Sequence, residues 1–197
     1  MIFTVGLLLR ILTLFIFFLW WMYWRITERE ADQQIPKTRS KEFSLRQQIR
    51  RWVLRAAEGI MILQVMGLHL FQLPWPHFML QLIGFVFVLI GTSISFSARK
   101  TLGVNWAHAY EYQVKKEQEL VTRGIYSLIR HPIYTGLCLA FIGGELVAQS
   151  YLTLVGVVLL IGGYWQARQE EKILVKHFGD AYKTYMKRTK MFLPYLW

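Results

Sequence analysis

The sequence predicts an all-α protein, built as a polytopic bundle of membrane helices. Apolar residues make up 54% of its 197 residues and charged residues 18%, and the mean hydropathy is +0.30. Five apolar segments recur along the chain, and the basic residues cluster between them. We therefore expect about five transmembrane helices, with the N-terminus outside and the C-terminus cytoplasmic. A cytoplasmic amphipathic helix should follow them at the C-terminal end.

The apolar segments comprise residues 1–24, 56–72, 78–96, 133–148 and 151–167. The first lacks the basic start and the small-residue cleavage site of a signal peptide, so we interpret it as a retained span. The fourth and fifth are short for a bilayer that needs about 20 residues. Because only Gln149 and Ser150 join them, we expect an antiparallel hairpin.

The basic residues predict the orientation of this bundle. Residues 25–55 contain nine lysines and arginines, residues 97–132 contain six, and the tail from Arg168 contains seven. These 22 of the chain's 23 basic residues share one side if the first loop is cytoplasmic, as the positive-inside rule requires. The net charge of +11 thus reflects membrane topology, and we expect no nucleic-acid partner. Part of the loop at 25–55 carries apolar residues at helical spacing and should lie flat on the membrane.

Residues 170–188 have the pattern of an amphipathic helix. Apolar side chains recur every three or four residues, opposite a row of lysines. Glu170 and Glu171 would then occupy the first turn of this helix, where negative charge is favourable. That position alone would explain the pair without any function.

Residues 120–136 bring a cation, an imidazole and two phenols to the entrance of the fourth apolar segment. Proline suits the first helical turn, so His131-Pro132 predicts a helix start. Its free N–H groups could hold an anion, although Tyr and Arg are equally typical of a non-functional membrane interface. The predicted topology places this helix start and Glu170-Glu171 at the cytoplasmic face. A cofactor could enter there from the cytosol, and a lipophilic substrate could enter from the bilayer.

Four sequence blocks occur in order in the second half of the chain: Gln-Glu-Leu-Val-Thr-Arg-Gly-Ile-Tyr (118–126), Arg-His-Pro-Ile-Tyr-Thr-Gly (130–136), Glu-Glu-Lys-Ile-Leu (170–174) and Phe-Gly-Asp-Ala-Tyr-Lys-Thr-Tyr (178–185). Together they resemble the isoprenylcysteine carboxyl methyltransferase family, which is close to the phospholipid N-methyltransferases. The resemblance implies an integral membrane enzyme that uses S-adenosylmethionine. It divides the chain into residues 1–98, with three transmembrane helices and the basic loop 25–55, and residues 99–197, the catalytic methyltransferase region.

The resemblance also implies which residues contact the cofactor. Carried over by position, these are Gln118, Glu119, Leu120, Val121, Tyr126, His131, Pro132, Tyr134 and Glu170. Methyl transfer of this kind depends on positioning, so no catalytic residue is assigned. The single cysteine, Cys138, excludes a cysteine-based metal cluster, and we expect no metal.

The acceptor side of the predicted site departs from the family. The eukaryotic prenylcysteine enzymes carry a substrate-binding Arg four residues before the cofactor Glu, and Gln166 stands there in this chain. Arg130 or Arg168 could replace it, and we also place Glu171 among the substrate-binding residues. The acceptor therefore stays open between a prenylcysteine-type carboxylate, another terpenoid acid, a lipid amine and a thiol. Membrane lipids are the other expected partners.

Two other readings of the sequence compete with a methyltransferase. A membrane sterol-type reductase using NADPH resembles the family in its C-terminal helices, and the basic loops could bind a 2′-phosphate. The Arg-His-Pro-Ile-Tyr block favours the methyltransferase instead. A non-catalytic membrane scaffold that binds lipid or a partner is the third reading, and it predicts that no adenosyl ligand binds.

Overall fold

The computed structural model describes residues 2–34, 45–68, 70–74, 77–105 and 119–194. These residues form six α-helices: α1 (Ile2–Gln34), α2 (Leu45–Val65), α3 (Phe78–Leu102), α4 (Pro132–Ala148), α5 (Thr153–Phe178) and α6 (Asp180–Arg188). Short 3-10 helices cover Gly103–Asn105 and Gly124–Ser127. The described ranges contain isolated β-bridges but no strand. The predicted all-α class is confirmed.

Among the described residues, two helices are long and apolar enough to cross a membrane by length and composition. These are α1, over Thr4–Glu30, and α3. The 17 residues of α4 are apolar but fall short of a full span. Large apolar side chains such as Leu7, Phe15 and Trp21 are more than half exposed on α1, as suits a lipid-facing surface.

The predicted boundaries of the first connection are wrong. The first helix continues through Gln34 and α2 already begins at Leu45, so much of the expected loop 25–55 is helical. No Gly or Pro interrupts residues 25–34, and Arg25 pairs with Glu28 one turn later at 3.5 Å. At the other end, α2 stops at Val65 instead of residue 72, since Gly67 adopts a positive φ of 115°.

The predicted separate helix at 170–188 is also wrong in its start. Helix α5 runs unbroken from Thr153 to Phe178, and the chain turns only at Gly179, where φ is 58°. Glycine adopts this left-handed conformation without steric penalty, so the break falls there. Glu170 and Glu171 therefore lie well inside a 26-residue helix, and charge in a first helical turn does not explain them.

A glycine seam joins α3 and α4 and is formed by Gly84 with Gly143 and Gly91 with Gly136. A Cβ atom at Gly84 would lie 2.7 Å from the Gly143 carbonyl oxygen, and one at Gly91 would lie 2.6 Å from that of Gly136. The pairing order shows that the two helices run antiparallel. Small residues allow helix backbones to approach this closely, as at many membrane helix interfaces.

Helices α2 and α5 lie against the same helix α4. A Cβ atom at Gly144 would meet Met61 of α2, and Val65 packs on Val147 and Ala148 near the end of α4. Helices α2 and α4 are therefore parallel. Helix α5 runs the opposite way, because Gly156 near its start contacts Ile142 near the end of α4. As a result, the start of α2, the start of α4 and the second half of α5 lie at one end of the bundle.

Candidate active site

The start of α4 is fixed by the C-terminal tail. Pro132 occupies the first helical turn after His131, so the predicted helix start is confirmed. The backbone N–H groups of Arg130 and His131 donate to the carbonyls of Lys190 and Met191 at 2.9 and 3.0 Å. These bonds hold the His131 backbone against the end of the chain.

A buried ion pair joins this helix start to α5. The Nε of Arg130 donates to Oε1 of Glu171 at 2.6 Å, with side chains 9% and 3% exposed. The same guanidinium also donates to the carbonyl of Met186 in the last turn of α6 and to that of Thr189, the residue after this helix. Arg130 thus ties together α4, α5 and the tail.

The environment of Glu171 keeps it ionised. Burial alone would raise its pKa, but the polar contacts with His131 and Arg130 and the charge of Arg130 outweigh burial. The pKa of Glu171 therefore lies below its ordinary value. A negative charge is held beneath His131 at neutral pH.

The imidazole of His131 lies between two carboxylates. Its Nε2 is 3.4 Å from Oε1 of Glu171, close but not aligned for a hydrogen bond, and its Nδ1 is 3.8 Å from Oε2 of Glu170. The Tyr134 hydroxyl donates to Oε2 of Glu170 at 3.0 Å, and the Tyr134 ring stacks on His131 with centroids 5.6 Å apart. We call His131, Tyr134 and Glu170 the Glu170 cluster.

The two carboxylates differ in their access to solvent. The Glu171 side chain is sealed at 3% exposure, whereas that of Glu170 is 38% exposed. Two buried polar atoms near it, Nε2 of His131 and Oε2 of Glu171, have no hydrogen-bond partner among the described residues. A partly exposed carboxylate beside aromatic rings can bind a cationic ligand. The two buried atoms without hydrogen-bond partners could bind polar groups of the same ligand.

A layer of phenols lines the same end of the bundle. Tyr126 is 7% exposed, and its carbonyl accepts a hydrogen bond of 2.6 Å from the Tyr185 hydroxyl of α6. Burial raises the pKa of the Tyr126 hydroxyl above its usual range, and the charge of Glu170 raises it further. The Tyr126 hydroxyl is therefore protonated at neutral pH, and the charge of Glu170 favours that protonated form.

The structure brings together part of the predicted cofactor set. His131, Tyr134 and Glu170 contact one another, Pro132 follows His131 at the start of α4, and the charge of Glu170 raises the pKa of the Tyr126 hydroxyl. The N–H of Glu119 donates to the Asn105 side chain at 2.9 Å, while Leu120 and Val121 are half-buried. No hydrogen bond within the described residues links these last three to the cluster. Gln118 lies outside the described residues.

The predicted acceptor-side residues separate into different environments. Gln166 is buried at 3% exposure, four residues before Glu170 on α5. Arg168 is exposed, because two residues along an α-helix correspond to a rotation of about 200° away from Gln166. Arg130 and Glu171 are bound to each other.

Sequence reasoning missed one residue at this end of the bundle. Arg50 of α2 donates a hydrogen bond from its guanidinium to Oε1 of Gln166. In the sequence, Arg50 is one of nine basic residues in the expected loop 25–55, so composition gave no reason to single it out. Knowing that α2 begins at Leu45 would have pointed to it.

Fold and site together define a class. In the described residues it is a helical protein with two membrane-length apolar helices and a partly exposed acidic and aromatic site at the start of α4. The chain belongs to the phospholipid methyltransferase family, whose model matches residues 79–181, just over half of the sequence.

Curated relatives confirm the resemblance to isoprenylcysteine carboxyl methyltransferases. The chain is 33% identical over 127 residues to protein-S-isoprenylcysteine O-methyltransferase of Xenopus laevis and 30% identical over 127 residues to that of Homo sapiens. Each alignment covers 64% of this chain and 43% of the relative. The chain thus spans less than half the length of these two proteins.

A solved structure shares the fold. It is the eukaryotic intramembrane Ras methyltransferase, an isoprenylcysteine carboxyl methyltransferase, with a TM-score of 0.55 and 22% sequence identity. The similarity covers 76% of this chain and 51% of that chain. At this identity the comparison supports the membrane helical architecture alone.

Proposed function

We propose that this protein is an integral membrane methyltransferase that uses S-adenosylmethionine and methylates a lipophilic acceptor at the cytoplasmic membrane face. The observation that carries the proposal is the Glu170 cluster. It is a half-exposed carboxylate held by Tyr134, 3.8 Å from a buried imidazole. The cluster is built from two of the sequence blocks that resemble methyltransferases, 130–136 and 170–174.

The residues present fit the proposed cofactor. S-adenosylmethionine supplies a methyl group on a cationic sulfur, and transfer to a carboxylate leaves the S–CH₃ electron pair on sulfur and yields a neutral ester with no proton to remove. The Glu170 carboxylate would pair with the cationic amino-acid end, and the faces of Tyr126 and Tyr134 suit a cation. Nε2 of His131 and Oε2 of Glu171 are buried and still able to take a polar partner.

The chain's own contribution is positioning. The Arg130–Glu171 pair and the bonds to the tail fix the His131 backbone and ring, and the His131–Tyr134 stack fixes Tyr134. Tyr134 in turn orients Glu170 through its 3.0 Å hydrogen bond. Rigid orientation of this kind lowers the barrier of a displacement reaction because the entropy of alignment is already lost before reaction.

We also propose the full membrane arrangement. Five crossings with the N-terminus outside place 22 of 23 basic residues on the cytoplasmic side, together with the start of α4 and the end of α5. Residues 99–197 would form the catalytic region. Residues 118–121 would complete the cofactor site. Accessibility labelling of single cysteines introduced at residues 74 and 124 tests the arrangement, since the two positions should react from opposite sides.

Ligand binding tests the proposal directly. Glu170→Gln should weaken binding of S-adenosylhomocysteine to the purified protein about 10- to 100-fold, as expected for loss of a charge-assisted contact. The matched control is Asp180→Asn, which removes an exposed carboxylate on α6 that pairs with Lys183 at 2.8 Å. Circular dichroism in detergent should show both variants folded.

The outcomes separate the three readings of the sequence. Unchanged affinity in Glu170→Gln would remove Glu170 from the cofactor site. Binding of NADPH and not S-adenosylhomocysteine by the unaltered protein would favour a reductase. Binding of neither would favour a scaffold. Labelled S-adenosylmethionine added to membranes would then identify the acceptor as the molecule that gains the label.

A further inference from the structure

Arg50 is a half-buried cation without a counter-charge. Its guanidinium donates to the neutral side-chain amide of Gln166, and it forms no ion pair with any carboxylate in the described part of the chain. An arginine stays protonated at every physiological pH. A partly desolvated positive charge held by a neutral partner is costly unless another anion completes it.

The position of Arg50 is set by helix packing and is level with the Glu170 cluster. Helices α2 and α4 run parallel and touch at Met61 and Gly144. Arg50 and Ile133 each lie eleven residues before these contacts, about 16 Å toward the start of both helices. Ile133 is the residue between Pro132 and Tyr134, so Arg50 reaches α5 beside the start of α4.

Gln166 places this cation one helical turn from an anion. Residues four apart on a helix share a face, with Cβ atoms about 6 Å apart, so Gln166 and Glu170 are neighbours. The site therefore presents two charges of opposite sign: the Glu170 carboxylate, suited to a cationic ligand, and the Arg50 guanidinium, suited to an anionic one.

From this geometry we infer that Arg50, held by Gln166, binds the carboxylate of the methyl acceptor and selects an acidic lipophilic substrate over a lipid amine or a thiol. This inference rests on the proposed function. Gln166 takes one N–H of the guanidinium, and the planar fork of remaining donors matches a carboxylate. The exposed apolar side chains Ile49 and Val53 next to Arg50 on α2 offer a lipophilic tail a surface to follow.

The test measures acceptor binding and turnover separately from cofactor binding. The probe is N-acetyl-S-farnesyl-cysteine, with its carboxamide as the uncharged analogue. Arg50→Gln should raise the KM for the acid about 10- to 100-fold and weaken its direct binding, measured in the presence of S-adenosylhomocysteine, by a similar factor. Affinity for S-adenosylhomocysteine itself should stay within about twofold, as judged by the same scale.

Three matched variants sharpen the test. Arg55→Gln removes an equal charge from the same helix, where the guanidinium lies over Trp52 at 5.8 Å, and should leave the KM unchanged. Arg50→Lys should recover part of the affinity, since it restores the charge without the fork. The exchange variant Arg50→Gln with Gln166→Arg moves the guanidinium to the other partner of the same contact and should restore binding of the acid.

Several results would overturn the inference. One is an equal KM in Arg50→Gln and Arg55→Gln. Another is an equal affinity of the unaltered protein for the acid and for its carboxamide. A third is methylation of phosphatidylethanolamine in place of the acid. A fall in S-adenosylhomocysteine affinity parallel to the loss of acid binding would make Arg50 a structural residue. Failure of the unaltered protein to bind S-adenosylhomocysteine would instead defeat the proposed function, so the two failures are distinguishable.

Discussion

The glycine seam should control both stability and the site, and Gly136→Ala tests it. A Cβ atom at Gly136 would lie 2.6 Å from the carbonyl oxygen of Gly91 and 2.8 Å from the backbone nitrogen of Ser95. Ordinary contacts of this kind begin near 3.4 Å. Because the clashing atoms belong to backbone, no side-chain rotation relieves them, and α3 and α4 must separate by about 0.8 Å.

Two unfavourable terms and one favourable term set the size of the effect. Overpacking a close contact is unfavourable by about 1–3 kcal/mol, and rigid backbone atoms put this site at the upper end. A gap of this size along the rest of the seam also removes about a quarter to a half of each lost dispersion contact. Replacing Gly by Ala inside a helix is favourable by about 1 kcal/mol. We expect Gly136→Ala to lower the free energy of unfolding by about 2 kcal/mol.

Gly162→Ala on α5 is the matched control, because a Cβ there has nothing within 4 Å among the described residues. It should raise the free energy of unfolding by up to about 1 kcal/mol. Unfolding titrations in mixed micelles measure both values. Since α4 begins at the Glu170 cluster, Gly136→Ala should also weaken S-adenosylhomocysteine binding. Equal stability of the two variants would show that the helices are not pressed together at this seam.

Two further substitutions test the remaining contacts. Glu171→Gln leaves the Arg130 guanidinium buried without its charge partner and should lower the free energy of unfolding by about 3 kcal/mol, measured in the same titrations. Folding lowers the pKa of Glu171, so the contribution of this carboxylate to stability is present at neutral pH and is lost as the pH falls below about 4.5. Over that range, the thermal midpoint of the unaltered protein should therefore fall more steeply than that of Glu171→Gln. Arg168→Gln should leave the acceptor KM unchanged because Arg168 is exposed on the far side of α5; a raised KM would return Arg168 to the substrate site.

The start of α4 could be predicted from sequence because its cause is local. Proline in the first turn and an apolar run of fixed length determine where the helix begins, and α4 indeed covers Pro132–Ala148. The ends of α1 and α5 could not be predicted in the same way. Charged residues at 25–34 and 168–178 look like connections by hydropathy, yet they continue their helices because nothing local stops them before residue 34 and before Gly179.

The residues of the Glu170 cluster could be singled out from the sequence, because His131, Tyr134 and Glu170 lie in blocks with a recognisable order. Their meeting required α4 and α5 to pack antiparallel, which the two-residue link predicts. The Arg130–Glu171 pair was not predicted as a pair. Tertiary packing brings these two buried charges together, and their spacing in the sequence does not indicate that they pair.

The family match and the Arg50 contact together suggest how this chain acquires specificity. The match covers residues 79–181 and includes the Glu170 cluster, whereas Arg50 lies outside it on α2. Under the proposed function, the methyl donor would be bound by the matched part of the chain, and the acceptor would be recognised by α2, which the family model does not reach. Because Arg50 contacts α5 through the Gln166 side chain, we expect the acceptor preference to change when those two residues are altered, while the Arg130–Glu171 pair and the glycine seam stay intact.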